Sequence, residues 1–319
     1  MIKNVVITGA NGFVGTALLR EAQRLGYCTT AVTRSPLAFG FAAHNILLSQ
    51  LDANTDWCSL LVEAKPDVVI HTAARVHQMN DSAEDPMQAF RAVNTAGTLN
   101  LARQAAALGV KRFIFISSVK VNGEQTLTDN IFNASHQPNP IDPYGISKAE
   151  AEAGLRSIAE QTNMEVVIIR PPLVYGQGVK GNFSSMMHLA EKNYPLPLGA
   201  IHNKRSLVAL DNLLDLIITC INHPKAANQT FLVSDDQDIS TTELLQMMTL
   251  AAGKNPWLIP VPMSWLQLAG KLTGKQAVID RLCGNLQVDI SHTKETLGWM
   301  PPITVEEGIK RCFIEEKLC

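Results

Sequence analysis

Tyr144 and Lys148 stand four apart in Tyr144-Gly145-Ile146-Ser147-Lys148, at the head of a stretch with helical periodicity, so both side chains project from one face. A phenol with a pKa near ~10 is a poor acid–base group at neutral pH, and a neighbouring ammonium favours its phenolate. Upstream, the apolar run Phe113–Ser117 delivers Ser118 at its carboxyl end. A hydroxyl there can hydrogen-bond a reacting carbonyl oxygen and steady it as charge shifts. The three residue types together suit proton transfer to and from a carbonyl or alcohol.

A second constellation lies at the start of the chain. The apolar run Asn4–Thr8 leads directly into Gly9-Ala10-Asn11-Gly12-Phe13-Val14-Gly15 and then into an amphipathic stretch. Gly9 allows a tight turn, Gly12 lets backbone approach a pyrophosphate, and Gly15 lets helix and strand pack closely. The helix start supplies free N–H groups and positive dipole. The pattern reads as a dinucleotide site, the alternative being a bland tight turn, and a bound nicotinamide would give Tyr144 and Lys148 a hydride partner and a ribose to hold. The second strand ends Val32-Thr33-Arg34-Ser35 with no carboxylate for a ribose 2′-hydroxyl. Arg34 over a 2′-phosphate points to NADP(H), with NAD(H) also open; the alternative is a solvated loop arginine.

These groups need a scaffold. Strand-length apolar runs recur at Asn4–Thr8, Thr29–Thr33, Ile46–Leu48, Val68–His71, Phe113–Ser117 and Val166–Arg170, separated by helical stretches such as Val14–Leu25, Met87–Leu108 and Tyr144–Thr162. The reading is α/β, a doubly wound parallel Rossmann sheet over residues 1–175. Beyond Arg170 the chain turns to Pro- and Gly-rich segments, short helices and one late strand near Phe231–Val233. Residues 176–319 read as a smaller C-terminal α/β lobe over the carboxyl ends of the strands, where ligands bind and where the chain can cross between the two.

With 27 basic and 29 acidic residues among 319, the chain has no electrostatic footprint for nucleic acid. Six scattered cysteines, including Cys312 and Cys319, suggest neither a zinc site nor a disulfide framework, so reduced thiols in a cytoplasm are expected. The N-terminus enters a strand without a signal-like region. The apolar stretches Leu213–Ile221 and Trp257–Leu272 are broken by Asp215, Pro260, Pro262 and Lys271, so no membrane span is expected. His71 and His77 lie near the site in sequence but receive no catalytic role, since an imidazole after a strand commonly satisfies backbone.

Glycine motif, Asn94-Thr95-Ala96-Gly97-Thr98, Ser118, then Tyr144 and Lys148 occur in the order that the extended short-chain dehydrogenase/reductase family shows, and Arg205–Asn212 and Asp289–Trp299 resemble its late landmarks. The resemblance spans essentially the whole chain and implies an oxidoreductase fold with Ser118, Tyr144 and Lys148 catalytic. It also implies cofactor contacts from Asp52 (to the adenine), Ala73, Ala74, Asn94 and Pro171. Homodimerisation through the helices of Met87–Leu108 and Tyr144–Thr162 is open.

Within that family the chain is similar to the nucleotide-sugar branch, whose substrates are UDP-sugars. The resemblance implies diphosphate contacts from Asn182, Arg205 and Arg281, and a substrate contact from Lys120. Val119-Lys120 stands where a dehydratase keeps an acid, which disfavours dehydration. Arg34, and Leu173 in place of an asparagine that epimerases keep, lean toward NAD(P)H-dependent reduction of the C4 ketone of a UDP-linked, 6-deoxy N-acetylated hexos-4-ulose in surface-polysaccharide synthesis. One alternative is a UDP-hexose or UDP-N-acetylhexosamine 4-epimerase with tightly held NAD, and Leu286 at an epimerase gate position is compatible with an acetamido sugar. Another is a non-catalytic NADP(H)-sensing protein, against which the presence of both Tyr144 and Lys148 argues.

Overall fold

The computed structural model describes residues 2–36, 44–76, 85–127 and 130–314. His77 and Cys319 lie outside them. The described residues form nine strands: β1 Asn4–Thr8, β2 Cys28–Thr33, β3 His44–Leu47, β4 Val68–His71, β5 Arg112–Ile116, β6 Glu165–Arg170, β7 Leu173–Tyr175, β8 Leu207–Ala209 and β9 Thr230–Leu232. Seven form one sheet in the order β3-β2-β1-β4-β5-β6-β9, with every pairing parallel.

The Val/Ile character of the strands follows from burial on both faces. Val5, Ile7, Val68 and Ile70 pack on Leu18, Leu19 and Leu213, whereas Val6, Val69 and Phe113 pack on Leu101, Ala105 and Leu155. Successive residues of one strand thus enter opposite cores, as the two-residue repeat of a pleated strand requires.

Two elements differ from the sequence reading. The late strand assigned to the smaller lobe is β9, the seventh strand of the main sheet, paired with β6 through Ile169↔Phe231. Its three residues continue the parallel edge beyond β6. Nearby, Arg112 Nη1 donates to the carbonyls of Cys220, Ile221 and His223 at 2.6–3.0 Å, closing the C-terminal end of the helix Leu210–Asn222 against β5. The second difference lies in the stretch Met87–Leu108, which is three pieces: helix Pro86–Phe90, a π-helical stretch Arg91–Gly97, and helix Thr98–Ala107. The wide turn falls around Asn94, a placement common at functional sites. Strands β7 and β8 form a separate parallel pair beside the main sheet.

Candidate active site

The carboxyl ends of β1, β2 and β4 open into two adjoining cavities of about 310 and 1200 Å³. Gly9, Asn11, Gly12 and Arg34 line both, Ala73 and Ala74 close one wall, and Phe13, Val14 and Gly15 form the helix start beneath. Gly9 has φ +69°, and a Cβ there would lie 2.8 Å from the backbone of Ala73. A Cβ on Gly15 would come within 2.1 Å of Gly9 O. Side chains at either position would fill the cradle or push the helix off the strand, so the loop fits a dinucleotide pyrophosphate. Arg34 is exposed at the mouth, and Asn11 Nδ2 donates to Ser35 Oγ at 3.2 Å beside it. A hollow of about 760 Å³ at the amino ends of β1–β3, lined by Asn4, Tyr27 and His44, gathers none of the candidate residues.

Three residues expected against the cofactor also have partners within the protein. Asp52 Oδ1 accepts from Asn54 N at 2.9 Å and Thr55 Oγ1 at 3.2 Å, folding the carboxylate onto its own turn. Asn94 is buried; its Oδ1 accepts from Arg75 N at 2.8 Å and its Nδ2 donates to Arg75 O and Ser147 Oγ at 3.0 Å. It ties the loop after β4 to the helix Pro143–Gln161. Pro171 is buried, and its carbonyl accepts from Val119 N at 2.9 Å.

The structure brings Ser118, Tyr144 and Lys148 together. Asp142 caps the helix Pro143–Gln161, its Oδ1 accepting from Gly145 N at 2.6 Å, and Pro143 occupies the first turn. That start places Tyr144 half-buried at the cleft, near enough to Ser118 for that hydroxyl to bear on its phenol, and sets Lys148 one turn deeper. Ser118 follows β5 and heads a short 3-10 turn, its Oγ accepting from Lys120 N at 3.2 Å. Lys148 is buried; Nζ donates to Ile116 O at 2.7 Å and sits 4.3 Å from the Phe115 ring centre.

The electrostatics correct one expectation. Burial, reinforced by the charge of Asp142, pushes the Tyr144 phenol up to about 12 against the pull of Ser118. Burial draws Lys148 down to about 7, opposed by Glu152. The ammonium is held by Ile116 O. His71 is fully buried, its Nδ1 2.6 Å from Thr8 Oγ1 and its Nε2 3.0 Å from Thr98 Oγ1.

Sequence reasoning missed the floor of the site. Glu152 is fully buried and accepts from Ser117 Oγ, from Arg170 Nε and Nη2 and from Arg156 Nη2, while Arg170 Nη1 donates to Asn122 Oδ1 at 3.0 Å. The signal was available, because Glu152 stands four residues beyond Lys148 on the same helix face. Asp142 was equally legible as an aspartate before Pro143. Its Oδ2 also pairs with Lys120 Nζ, so Lys120 is tied to the rim of the site.

Of the residues expected on the diphosphate, Arg205 and Arg281 come together: Arg205 Nη1 donates to Arg281 O at 2.9 Å and to Gly284 O at 3.3 Å. Burial and the charge of Arg281 pull the Arg205 guanidinium below its ordinary value. Leu286 pairs with Arg205 through a parallel backbone bridge. Asn182 stands exposed in the first turn of the helix Asn182–Lys192.

The chain is similar to known proteins along its length. The NAD dependent epimerase/dehydratase family matches residues 5–234. A UDP-glucose 4-epimerase of Vibrio cholerae is 51% identical over 315 residues, 98% of this chain and 94% of its own length. A GDP-6-deoxy-D-mannose reductase of Pseudomonas aeruginosa is 25% identical over 97% of this chain and 96% of its own. The solved UDP-glucose 4-epimerase of Thermotoga maritima with UDP-glucose superposes with a TM-score of 0.78 at 21% identity, covering 97% of each chain.

Proposed function

The chain belongs to the NAD dependent epimerase/dehydratase family, and from that premise we propose that it is a UDP-hexose 4-epimerase working with NAD(H). The observation that carries this reading is the 51% identity, over nearly the whole length of both chains, with the Vibrio cholerae UDP-glucose 4-epimerase. It outweighs the two sequence features that pointed to a reductase, Arg34 and Leu173. Residues 1–175 supply the cofactor half in this reading, and 176–319 the substrate half.

A nicotinamide held by the Gly9–Gly15 loop and Lys148 would supply hydride transfer from C4 and back. Tyr144 takes the O4 proton as C4 becomes a ketone and returns it when the alcohol re-forms, while Ser118 holds that oxygen by a hydrogen bond. Lys148 contributes positive charge beneath the phenol and a donor for the cofactor ribose. Arg205 and Arg281 hold the UDP diphosphate by charge-assisted bonds. Anchoring at the diphosphate leaves the hexose free to turn over and present its other face.

A second reading, a 4-keto-sugar reductase, is favoured by Arg34 at the cavity mouth, where a 2′-phosphate would be paired. The two separate in one experiment. Purified protein is incubated with UDP-glucose or UDP-N-acetylglucosamine, and in parallel with NADPH and a UDP-4-keto-6-deoxy-N-acetylhexosamine, following sugars by NMR and cofactor by absorbance. Interconversion at C4 without net cofactor change is the expected result. Stoichiometric NADPH oxidation in the second tube, with no interconversion in the first, would establish the reductase instead.

A further inference from the structure

The helix Met263–Leu272 is apolar on its outward side as well as its inward one. Its inward side carries buried Leu266 and Gly270, and a Cβ on Gly270 would lie 2.8 Å from Ile279 Cγ1 of the neighbouring helix Gln276–Cys283. Its outward side carries Trp265, Leu268 and Leu272, exposed at 70, 58 and 79%. The spacing i, i+3, i+7 puts the three on one stripe. Val278 on the neighbouring helix is also exposed. Scattered apolar residues at a surface are ordinary, but an aligned stripe headed by a tryptophan marks a face built to be covered.

The charges around the stripe indicate what covers it. Residues 263–279 hold Lys271 and Lys275 and no acidic residue, in a chain whose formal net charge is −2. Lys271 borders the stripe and Lys275 opens the next helix, at the Leu272 end. A second copy of the chain packed symmetrically on this face would set these like charges against one another. A negatively charged lipid surface complements them and accepts tryptophan and leucine at the headgroup boundary. Ten residues of helix span ~15 Å, about half of a ~30 Å hydrocarbon core, and among the described residues no helix is long and apolar enough to cross a membrane. Such a helix lies in the surface plane.

We propose that Met263–Leu272 docks flat on an anionic phospholipid surface, with Trp265, Leu268 and Leu272 in the headgroup–acyl boundary and Lys271 and Lys275 on lipid phosphates. The proposal is independent of whether the enzyme is an epimerase or a reductase, and its test uses no sugar substrate. Full-length protein is sedimented with sucrose-loaded vesicles of phosphatidylglycerol and phosphatidylcholine, or of phosphatidylcholine alone, at low and high salt. Tryptophan emission is recorded alongside, since exposed Trp265 reports entry into lipid. The expected result is binding to the anionic vesicles with a blue shift, weakened by salt, and little binding to neutral ones. The double variant Leu268→Ser/Leu272→Ser, at exposed positions that leave the melting temperature unchanged, should lose at least tenfold in partitioning. Lys271→Glu/Lys275→Glu should abolish the preference for anionic lipid. Wild-type protein that stays in the supernatant at low salt, or a serine variant that partitions like wild type, would overturn the proposal. So would a wild-type dimer that ignores vesicles and becomes a monomer in the serine variant, which would give the face to a second copy.

Discussion

The carboxylate of Glu152 reaches across from the helix of Tyr144 and Lys148 to take a hydrogen bond from Ser117 Oγ at 2.6 Å. Ser117 adjoins Ser118, so this bond ties the serine-bearing end of β5 to the helix that carries the other two groups. Arg170, whose Nη2 lies 2.5 Å from Glu152 Oε2, closes the same cluster from β6. Fully satisfied buried networks of this kind fix geometry, and local substitutions at the cleft can therefore be read as chemistry with less confusion from movement.

Tyr144→Phe removes the phenolic oxygen and keeps the ring that packs edge-on against Phe90 at 6.1 Å. Turnover should fall by ~10²–10⁴, the range for a lost general acid–base group, with cofactor affinity little changed. Steady-state rates and a cofactor titration check both halves. A variant within a few-fold of wild type would remove Tyr144 from the chemistry.

Lys148→Met should be inactive and yet more stable than wild type at pH 7. Folded Lys148 is drawn from 10.5 to about 7, so the unfolded chain binds more protons between those values, and the native state carries a desolvation cost that grows as pH falls toward 7. Methionine removes that cost and leaves Ile116 O without its donor, for a net gain of about 1–3 kcal/mol. Urea unfolding of both proteins at pH 7 measures it.

Below pH 6.5 the protein should lose stability through His71. Burial, with the charge of Lys148, draws the imidazole from 6.5 to about 3, so between those values the unfolded state holds a proton that the folded state refuses. Stability therefore declines as pH falls, by up to about 1.4 kcal/mol per pH unit from this group. His71→Gln should show a shallower dependence of the unfolding free energy between pH 6.5 and 5. An unchanged slope would show that His71 titrates normally.

The sequence and the structure agree where one residue's chemistry decides the outcome and diverge where a partner far along the chain decides it. Strands β1 and β4 were legible to the residue, because a Val/Ile run between polar ends has few other uses. The tight turn after β1 was legible from its glycines, since Gly9 has a positive φ and a Cβ on Gly15 would meet the Gly9 backbone. The strand β9 was found, but its place was not: three residues carry no pattern that distinguishes a sheet edge from a small lobe. Asn94 was assigned to the cofactor, and its bonds to Arg75 and Ser147, which no local spacing could announce, give it a structural role as well. The phenol's upward shift arises from burial and Asp142, which depend on packing rather than on the four-residue spacing to Lys148.

Arg205→Ala should raise the KM for the UDP-sugar and weaken inhibition by UDP, leaving cofactor affinity intact. A cation on a diphosphate acts in ground and transition states alike, so its loss appears as uniform binding. Arg205 also holds the Arg281 carbonyl, so Arg205→Ala and Arg281→Ala should combine with less than additive effect. Inhibition constants for the four proteins complete that cycle, and wild-type values in Arg205→Ala would exclude it from the site.

Arg34→Asp tests the cofactor mouth. A charge-assisted bond to a 2′-phosphate contributes ~1.5–3 kcal/mol before screening, so the variant should weaken NADPH far more than NADH. Any preference of the wild type for NADPH should shrink as salt rises. Titration by NAD(P)H fluorescence at two salt concentrations decides the point. Protein that purifies with NAD already held, and whose NADPH affinity ignores the substitution, would make Arg34 a bystander to cofactor choice.

The crossing of the chain at β9 has a consequence during synthesis. Until the ribosome has delivered Thr230–Leu232, the nascent sheet ends in the unpaired edge of β6, and Arg112 lacks the carbonyls of Cys220, Ile221 and His223 that surround it in the finished protein. An open strand edge beside an arginine that keeps only its Glu165 partner invites pairing with other chains. A nonsense codon shortly after Tyr175 would therefore yield an aggregating fragment, although that fragment would still encode every glycine of the cradle together with Ser118, Tyr144 and Lys148.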